Sequence, residues 1–370
     1  MMKLKYKPLF EPYALNNGVE IKNRLTVAPL TIYDSGPNGE MTETGRNFWR
    51  DRFAGFGLFI MPFTNVHPSA IGFESPQAID ETDLPTLMEY ASLAREQGAK
   101  AVVQIAHSGY RANPSMTKGH DVVAATGDLY GRFRTMTDAE VREMVASFAR
   151  AAELAMQAGF DGVEIHGANG WLIQQFVSAA TNLRTDHWGG TLNKRFNFPL
   201  AIVDAIDDVR KKHNRPDFII GYRFSPEEPG QHGITMQETL ALVDALLTRP
   251  LQYLHISLWD FYKRARRGAD GHLTRMQIVH DHIDGRVPFF GAGNLYTADD
   301  ILAAYNTGWA ESIAIGKSIM LNPNLVELIT TGRESEIETH FDWAKQDYYR
   351  YTPAMLEGTR AGTDFYPPVK

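Results

Sequence analysis

The sequence predicts an α/β fold, a single (β/α)8 TIM barrel over residues 1–370 with a C-terminal helical extension, and three observations predict it. Short apolar runs alternate with longer stretches of helical period, as in a parallel sheet wrapped by helices. The alternation repeats eight times, the strand number of a closed barrel; an open doubly wound sheet is the competing architecture. No Pro/Gly/Ser-rich linker, repeat or low-complexity tract interrupts the chain, which makes one domain the economical reading.

The elements follow in order. The expected strands are Arg24–Leu30, Leu58–Phe63, Ala101–Ala106, Gly162–His166, Phe218–Phe224, Tyr253–Ser257, Pro288–Gly291 and Ser312–Gly316. The helices expected after each are Thr44–Ala54, Leu84–Gln97, Asp138–Ala158, Lys194–His213, Met236–Leu247, Arg275–Asp284, Thr297–Tyr305 and Ser318–Ile329. Thr137 with Glu140, and Thr235 with Glu238, have the spacing of capping boxes. Gly98, Gly159 and Gly308 each stand where a left-handed residue ends a helix before the next strand. Two long non-helical segments, Ser108–Met136 and Ala179–Leu192, follow strands three and four; in a barrel both lie on the C-terminal face, where active sites form. The segment Tyr348–Lys370 has two placements, on its own barrel or against a neighbour in a homo-oligomer.

Composition narrows the function. With 44% hydrophobic and 22% charged residues the chain can bury a large core, and a net charge of −7 argues against nucleic acid as a partner. The N-terminus has no apolar run after its basic start, and no stretch has the length of a membrane span, so the expectation is a cytoplasmic protein. There is no cysteine, hence no thiolate zinc site and no cysteine-held iron–sulfur cluster.

Polar residues gather at the expected C-terminal strand ends: Thr31 and Tyr33, Gln104 and His107, His166 and Asn169, and Arg223. Any one of them has an ordinary reading as a partner for loop backbone, yet a barrel brings all of them to one mouth. His166 and Asn169, three apart, point the same way if the strand ends in a helical turn, and together can clamp one oxygen of a conjugated carbonyl or nitro group. Gly293 and Asn294 follow strand seven, Gly316 and Lys317 strand eight, which is the common phosphate site of barrels. Tyr296 replaces the last glycine of a dinucleotide fingerprint, so a Rossmann reading is disfavoured. His280 and His282 diverge on a helix and make no metal pair. The run Lys263-Arg264-Ala265-Arg266-Arg267 is ordinarily a solvated loop, although its place after strand six suits nicotinamide phosphates or an acidic substrate.

With these residues placed, the sequence resembles the Old Yellow Enzyme family from Pro8-Leu9-Phe10 to about Pro323. The most specific stretch runs from Asn182-Leu183-Arg184 through Trp188-Gly189-Gly190 to Arg195-Phe196. Lys22–Leu25 with Ala28–Thr31, Gln104–Gly109, and Gly159–His166 also match. The resemblance implies FMN, lined by Ala28, Pro29, Leu30 and Thr31, held at its pyrimidine edge by Gln104 and Arg223 and at its phosphate by Gly293, Asn294, Gly316 and Lys317. It also implies NADH or NADPH as hydride donor and an electrophilic alkene or quinone as acceptor, with His166 and Asn169 on the acceptor's oxygen. Two positions depart from the pattern. Lys317 stands where Arg is usual, and Trp171 stands where a proton-donating Tyr is usual. Indole is no practical acid near neutral pH, which leaves solvent or Tyr33 to supply the proton and lets Trp171 narrow the substrate pocket. Related iron–sulfur flavoenzymes are excluded by the missing cysteines. A barrel aldolase and a flavin binder without catalysis are the remaining alternatives.

Overall fold

A computed structural model describes every residue from Met1 to Lys370. In chain order its strands are β1 (Tyr13–Ala14), β2 (Glu20–Ile21), β3 (Leu25–Val27), β4 (Leu58–Asn65), β5 (Lys100–Ala106), β6 (Val123–Ala124), β7 (Arg134–Thr135), β8 (Gly162–Gly167), β9 (Ile219–Phe224), β10 (Tyr253–Ile256), β11 (Phe289–Ala292) and β12 (Ser312–Ile315). Eight of them, β3, β4, β5, β8, β9, β10, β11 and β12, form a closed parallel barrel in that order, so the closed architecture, not the open sheet, is what the chain adopts. Closure runs through Ile313 opposite Leu25 and Ile315 opposite Val27.

The surrounding helices are α1 (Glu43–Trp49), α2 (Leu84–Glu96), α3 (Asp138–Gln157), α4 (Leu172–Val177), α5 (Leu192–Arg195), α6 (Asn197–Lys212), α7 (Met236–Leu247), α8 (Arg275–Ile283), α9 (Ala298–Asn306), α10 (Lys317–Leu321), α11 (Leu325–Thr331), α12 (Gln346–Tyr349) and α13 (Pro353–Arg360). Both expected capping boxes form, at Thr137 and Thr235, and a third joins Thr297 to Asp300. Gly98, Gly159 and Gly308 all have positive φ. No helix is long and apolar enough to cross a membrane.

Departures from the expected boundaries have local causes. Pairing of β3 stops at Val27, and the chain leaves the sheet through Pro29, which has no N–H for a ladder. In β4 the register shifts between Met61 and Thr64, around Pro62, for the same reason. The helix expected over Ser318–Ile329 is two helices with Pro323 between them. The one expected over Lys194–His213 breaks at Phe196, which ends α5 and begins α6.

The barrel interior is stratified. At the N-terminal end Leu15 and Ile21, from the β1–β2 hairpin, close the bottom against Leu58, Ile60, Val102 and Ile219. Tyr253 and Phe290 stack above at 4.3 Å and 2°. The C-terminal segment packs on its own barrel: the Thr352 hydroxyl donates to the Ile32 carbonyl at 2.9 Å, and the buried Arg52 guanidinium joins the Ile319, Met320 and Tyr349 carbonyls. A cation so placed satisfies the last carbonyls of α10 and ties that short helix to the C-terminal segment.

Candidate active site

Alternation along β8 sends Glu164 and His166 inward, and parallel register sets His166 beside Arg223 of β9 and Arg223 beside His255 of β10. These polar groups occupy one side of the mouth. On the other side the inward residues are small: Ala28, Ala292 and Ala314, from the ends of β3, β11 and β12, form a separate buried cluster. Small apolar residues on one side and donors on the other suit a flat, polar-edged ring.

His166 is buried and its Nδ1 has no partner. Burial, with the charge of Arg223, pushes its pKa down to about 3, so the imidazole is neutral at pH 7. Arg223 Nε is likewise buried without a partner. Asn169 is reached by a left-handed turn (φ 59°), not the helical turn the spacing suggested. Its Oδ1 accepts from Ser257 Oγ at 2.8 Å, which leaves Nδ2 as the free donor.

Gln104 donates through Nε2 to Glu164 Oε1 at 2.6 Å. The other carboxylate oxygen accepts from His255 Nδ1 at 2.8 Å and from the Tyr253 hydroxyl at 3.1 Å. Burial alone raises the Glu164 pKa, but His255, Arg223 and Gln104 bring it below the usual carboxylate range. Sequence reading missed Glu164, Tyr253 and His255. Their signal was available, since Glu164 stands two before His166 and therefore faces the same way.

An aromatic wall completes the mouth. Phe73 meets Tyr33 at 5.4 Å and Trp171 at 5.9 Å, and Phe63 meets Trp171 at 5.1 Å and His166 at 5.8 Å. Tyr33 and Trp171 are thus joined through one ring. Tyr33 itself has φ 48°, unusual for a bulky residue, and burial raises its pKa. Arg111 lies with its guanidinium carbon 5.2 Å from the Trp171 ring and donates to the Asn169 carbonyl at 2.9 Å.

At the far end, Gly293 adopts φ 140°, and a Cβ there would collide with the Phe261 amide nitrogen. Asn294 is left-handed (φ 38°). Gly316 is the N-cap of α10, and a Cβ on it would stand 3.2 Å from Leu30 and 3.8 Å from Ala28, which brings the ends of β3 and β12 together. Lys317 Nζ sits 5.1 Å from the Trp259 ring centroid, and burial lowers its pKa while Asp364 opposes the shift. Asn294, Lys317, Trp259, Tyr296, Asp364 and Tyr366 line a cavity of about 860 Å³. Alanine floor, unpartnered His166 and Arg223 nitrogens, glycine turns and a lysine fit a planar heterocycle with a phosphorylated tail.

Three residues singled out from sequence have other employment. His107 accepts from the Gly109 N–H at 2.9 Å and pairs with Ser69 Oγ at 3.0 Å, which commits both ring nitrogens to the loop. Arg267 donates to the Gln231, Glu228 and Gly233 carbonyls. His282 pairs with Asp244. Lys263, Arg264 and Arg266 are exposed.

The profile of the NADH:flavin oxidoreductase / NADH oxidase family matches residues 8–336. A Bacillus subtilis (strain 168) protein described as a probable NADH-dependent flavin oxidoreductase is 42% identical over 374 residues, covering 100% of both chains. The NADH:acrylate oxidoreductase of Vibrio harveyi is 34% identical across 85% of this chain, which spans only 32% of that protein. Among solved structures, an Old Yellow Enzyme homologue from Zymomonas mobilis superposes with a TM-score of 0.76 at 21% identity, covering 98% of this chain and 99% of its own.

Proposed function

The chain belongs to the NADH:flavin oxidoreductase / NADH oxidase family, that of Old Yellow Enzyme, and from that premise we propose an FMN-dependent enzyme that takes hydride from NADH or NADPH and reduces activated C=C bonds, as in enones and nitroalkenes, or quinones. Both half-reactions use one mouth, so the kinetics are ping-pong. When bound, FMN supplies two-electron hydride chemistry.

The observation that carries this reading is the pair of uncommitted donors, His166 and Asn169, beside the unpaired Arg223 Nε and across from the alanine floor. His166, being neutral, offers an N–H without a full charge, and Asn169 Nδ2 offers a second, so the acceptor's oxygen is held as negative charge develops on it. Arg223 and Gln104 hold the pyrimidine edge, Ala28, Pro29, Leu30 and Thr31 line the ring, and Gly293, Asn294, Gly316 and Lys317 take the phosphate. Lys317 acts there as a point charge without the fork of an arginine. Tyr33 donates the proton in place of a tyrosine at position 171. Its raised pKa keeps the phenol protonated, and Phe73 holds it on the same wall as Trp171.

Anaerobic stopped-flow tests the reading. The expected result is a yellow protein that releases FMN on denaturation, is bleached by NADH or NADPH, and is reoxidised by an enone, nitroalkene or quinone. A colourless protein indifferent to added FMN overturns it. The Arg111-backed Trp171 favours a second reading, a flavin protein with NAD(P)H oxidase activity and little alkene reduction. Bleaching followed by reoxidation with O₂ alone selects that one.

A further inference from the structure

Glu164 is fully buried in the barrel, and its closest partners are hydrogen-bond donors: Gln104 Nε2, the Tyr253 hydroxyl and His255 Nδ1. Burying a carboxylate is costly, and an apolar residue here would have joined the Tyr253–Phe290 stack. The charge has a counterpart one layer up. Arg223, on the neighbouring strand, makes no ion pair with Glu164 but lies within its field, and its buried Nε has no partner of its own. The same carboxylate restrains Gln104, the other group assigned to the pyrimidine edge.

We propose that Glu164 sets the reduction potential of the bound flavin, by offsetting the positive field of Arg223 from beneath and by fixing Gln104. It is a positioning and electrostatic residue, not a catalytic one, and the inference rests on the flavin reading above. Negative charge gathers at the pyrimidine edge on reduction, so the cation favours the reduced form and the buried carboxylate opposes it. Tyr253 and His255 spread the carboxylate's charge by donating to it, which weakens that opposition.

The test is the midpoint potential of the holoenzyme, by dye-coupled titration, in two variants with opposite expected signs. Glu164→Gln removes the charge at nearly constant volume and is expected to favour reduced over oxidised flavin about tenfold, roughly 30 mV upward for a two-electron couple. Tyr253→Phe keeps the charge but removes one donor, and is expected to move the potential downward by a smaller amount. A purely structural role would loosen Gln104 in both and move both the same way, or would weaken FMN binding at constant potential; either result overturns the proposal. If Glu164→Gln does not fold, the direction of Tyr253→Phe alone decides, and an unchanged or raised potential is the contrary result. A yellow wild type with unresponsive variants ends only this inference, whereas a colourless wild type ends the flavin reading itself.

Discussion

Asn169 Oδ1 accepts from Ser257 Oγ at 2.8 Å, a bond that ties the loop after β8 to the end of β10 and decides which end of the Asn169 amide faces the mouth. Ser225 supports the same loop by accepting from the Asn169 N–H at 2.8 Å. Ser257→Ala leaves the amide free to turn its oxygen toward the acceptor. The expected loss is about tenfold in kcat/KM for an enone, one neutral hydrogen bond's worth, with the rate of bleaching by NADH unchanged. Equal enone kinetics in the variant would remove Asn169 from the role given to it.

Tyr33 and Trp171 share Phe73, so exchange of their functions is testable in both directions. Tyr33→Phe is expected to slow alkene reduction about 10²-fold and abolish its solvent isotope effect, while leaving quinone reduction intact. Adding Trp171→Tyr is expected to restore the alkene rate. If single-turnover alkene reduction is indifferent to Tyr33→Phe, solvent is the acid.

The barrel was legible because its information is local: eight apolar runs, capping threonines and helix-ending glycines each declare themselves within a few residues. Strand-end positions likewise yielded His166, Asn169 and Arg223, since a parallel barrel sends every strand's C-terminal end to one mouth. Glu164 escaped because it lies within a strand and not at its end, and its partners, Gln104, Tyr253 and His255, arrive from distant strands. Phe73 escaped for a different reason: it lies in an irregular stretch between β4 and α2, where no periodicity tells which way a side chain points. The β1–β2 hairpin under the barrel is two residues per strand, too short for alternation to register.

Burial holds His107 and His166 neutral, each pushed down to about 3, and this fixes a pH dependence of stability. An unfolded histidine takes up a proton below about pH 6.5, whereas these folded ones do not until near pH 3. The unfolded state therefore binds more protons, and stability falls as pH drops below about 6.5. Between pH 7 and pH 5 the loss is about 2 kcal/mol for each histidine, measurable by urea unfolding of the apoprotein. His107→Gln is expected to flatten that slope by its share. A slope that steepens or stays the same would contradict a neutral buried His107.

Lys317 carries the charge at the phosphate end, steadied by the Trp259 ring at 5.1 Å. Lys317→Met is expected to weaken FMN binding 10- to 100-fold, roughly the 1.5–3 kcal/mol of a charge-assisted contact, and to flatten the salt dependence of Kd. Riboflavin, which lacks the phosphate, should bind wild type and variant alike. A comparable loss for riboflavin would mean that Lys317 supports the loop and does not meet phosphate.

Ala28, Ala292 and Ala314 form a buried cluster of their own, apart from the main core. In a close-packed interior, three small residues at one level mark space reserved for something else. Ala292→Leu fills that space at the end of β11 without meeting the helices outside the barrel. The expected product is a colourless protein that unfolds at wild-type apoprotein denaturant concentration, within about 1 kcal/mol, since added methylenes cost stability only where packing is already tight. If the variant instead binds FMN with unchanged affinity, the ring lies elsewhere and the alanines are merely thin packing. If it binds no FMN but is also destabilised by several kcal/mol, the space was never open.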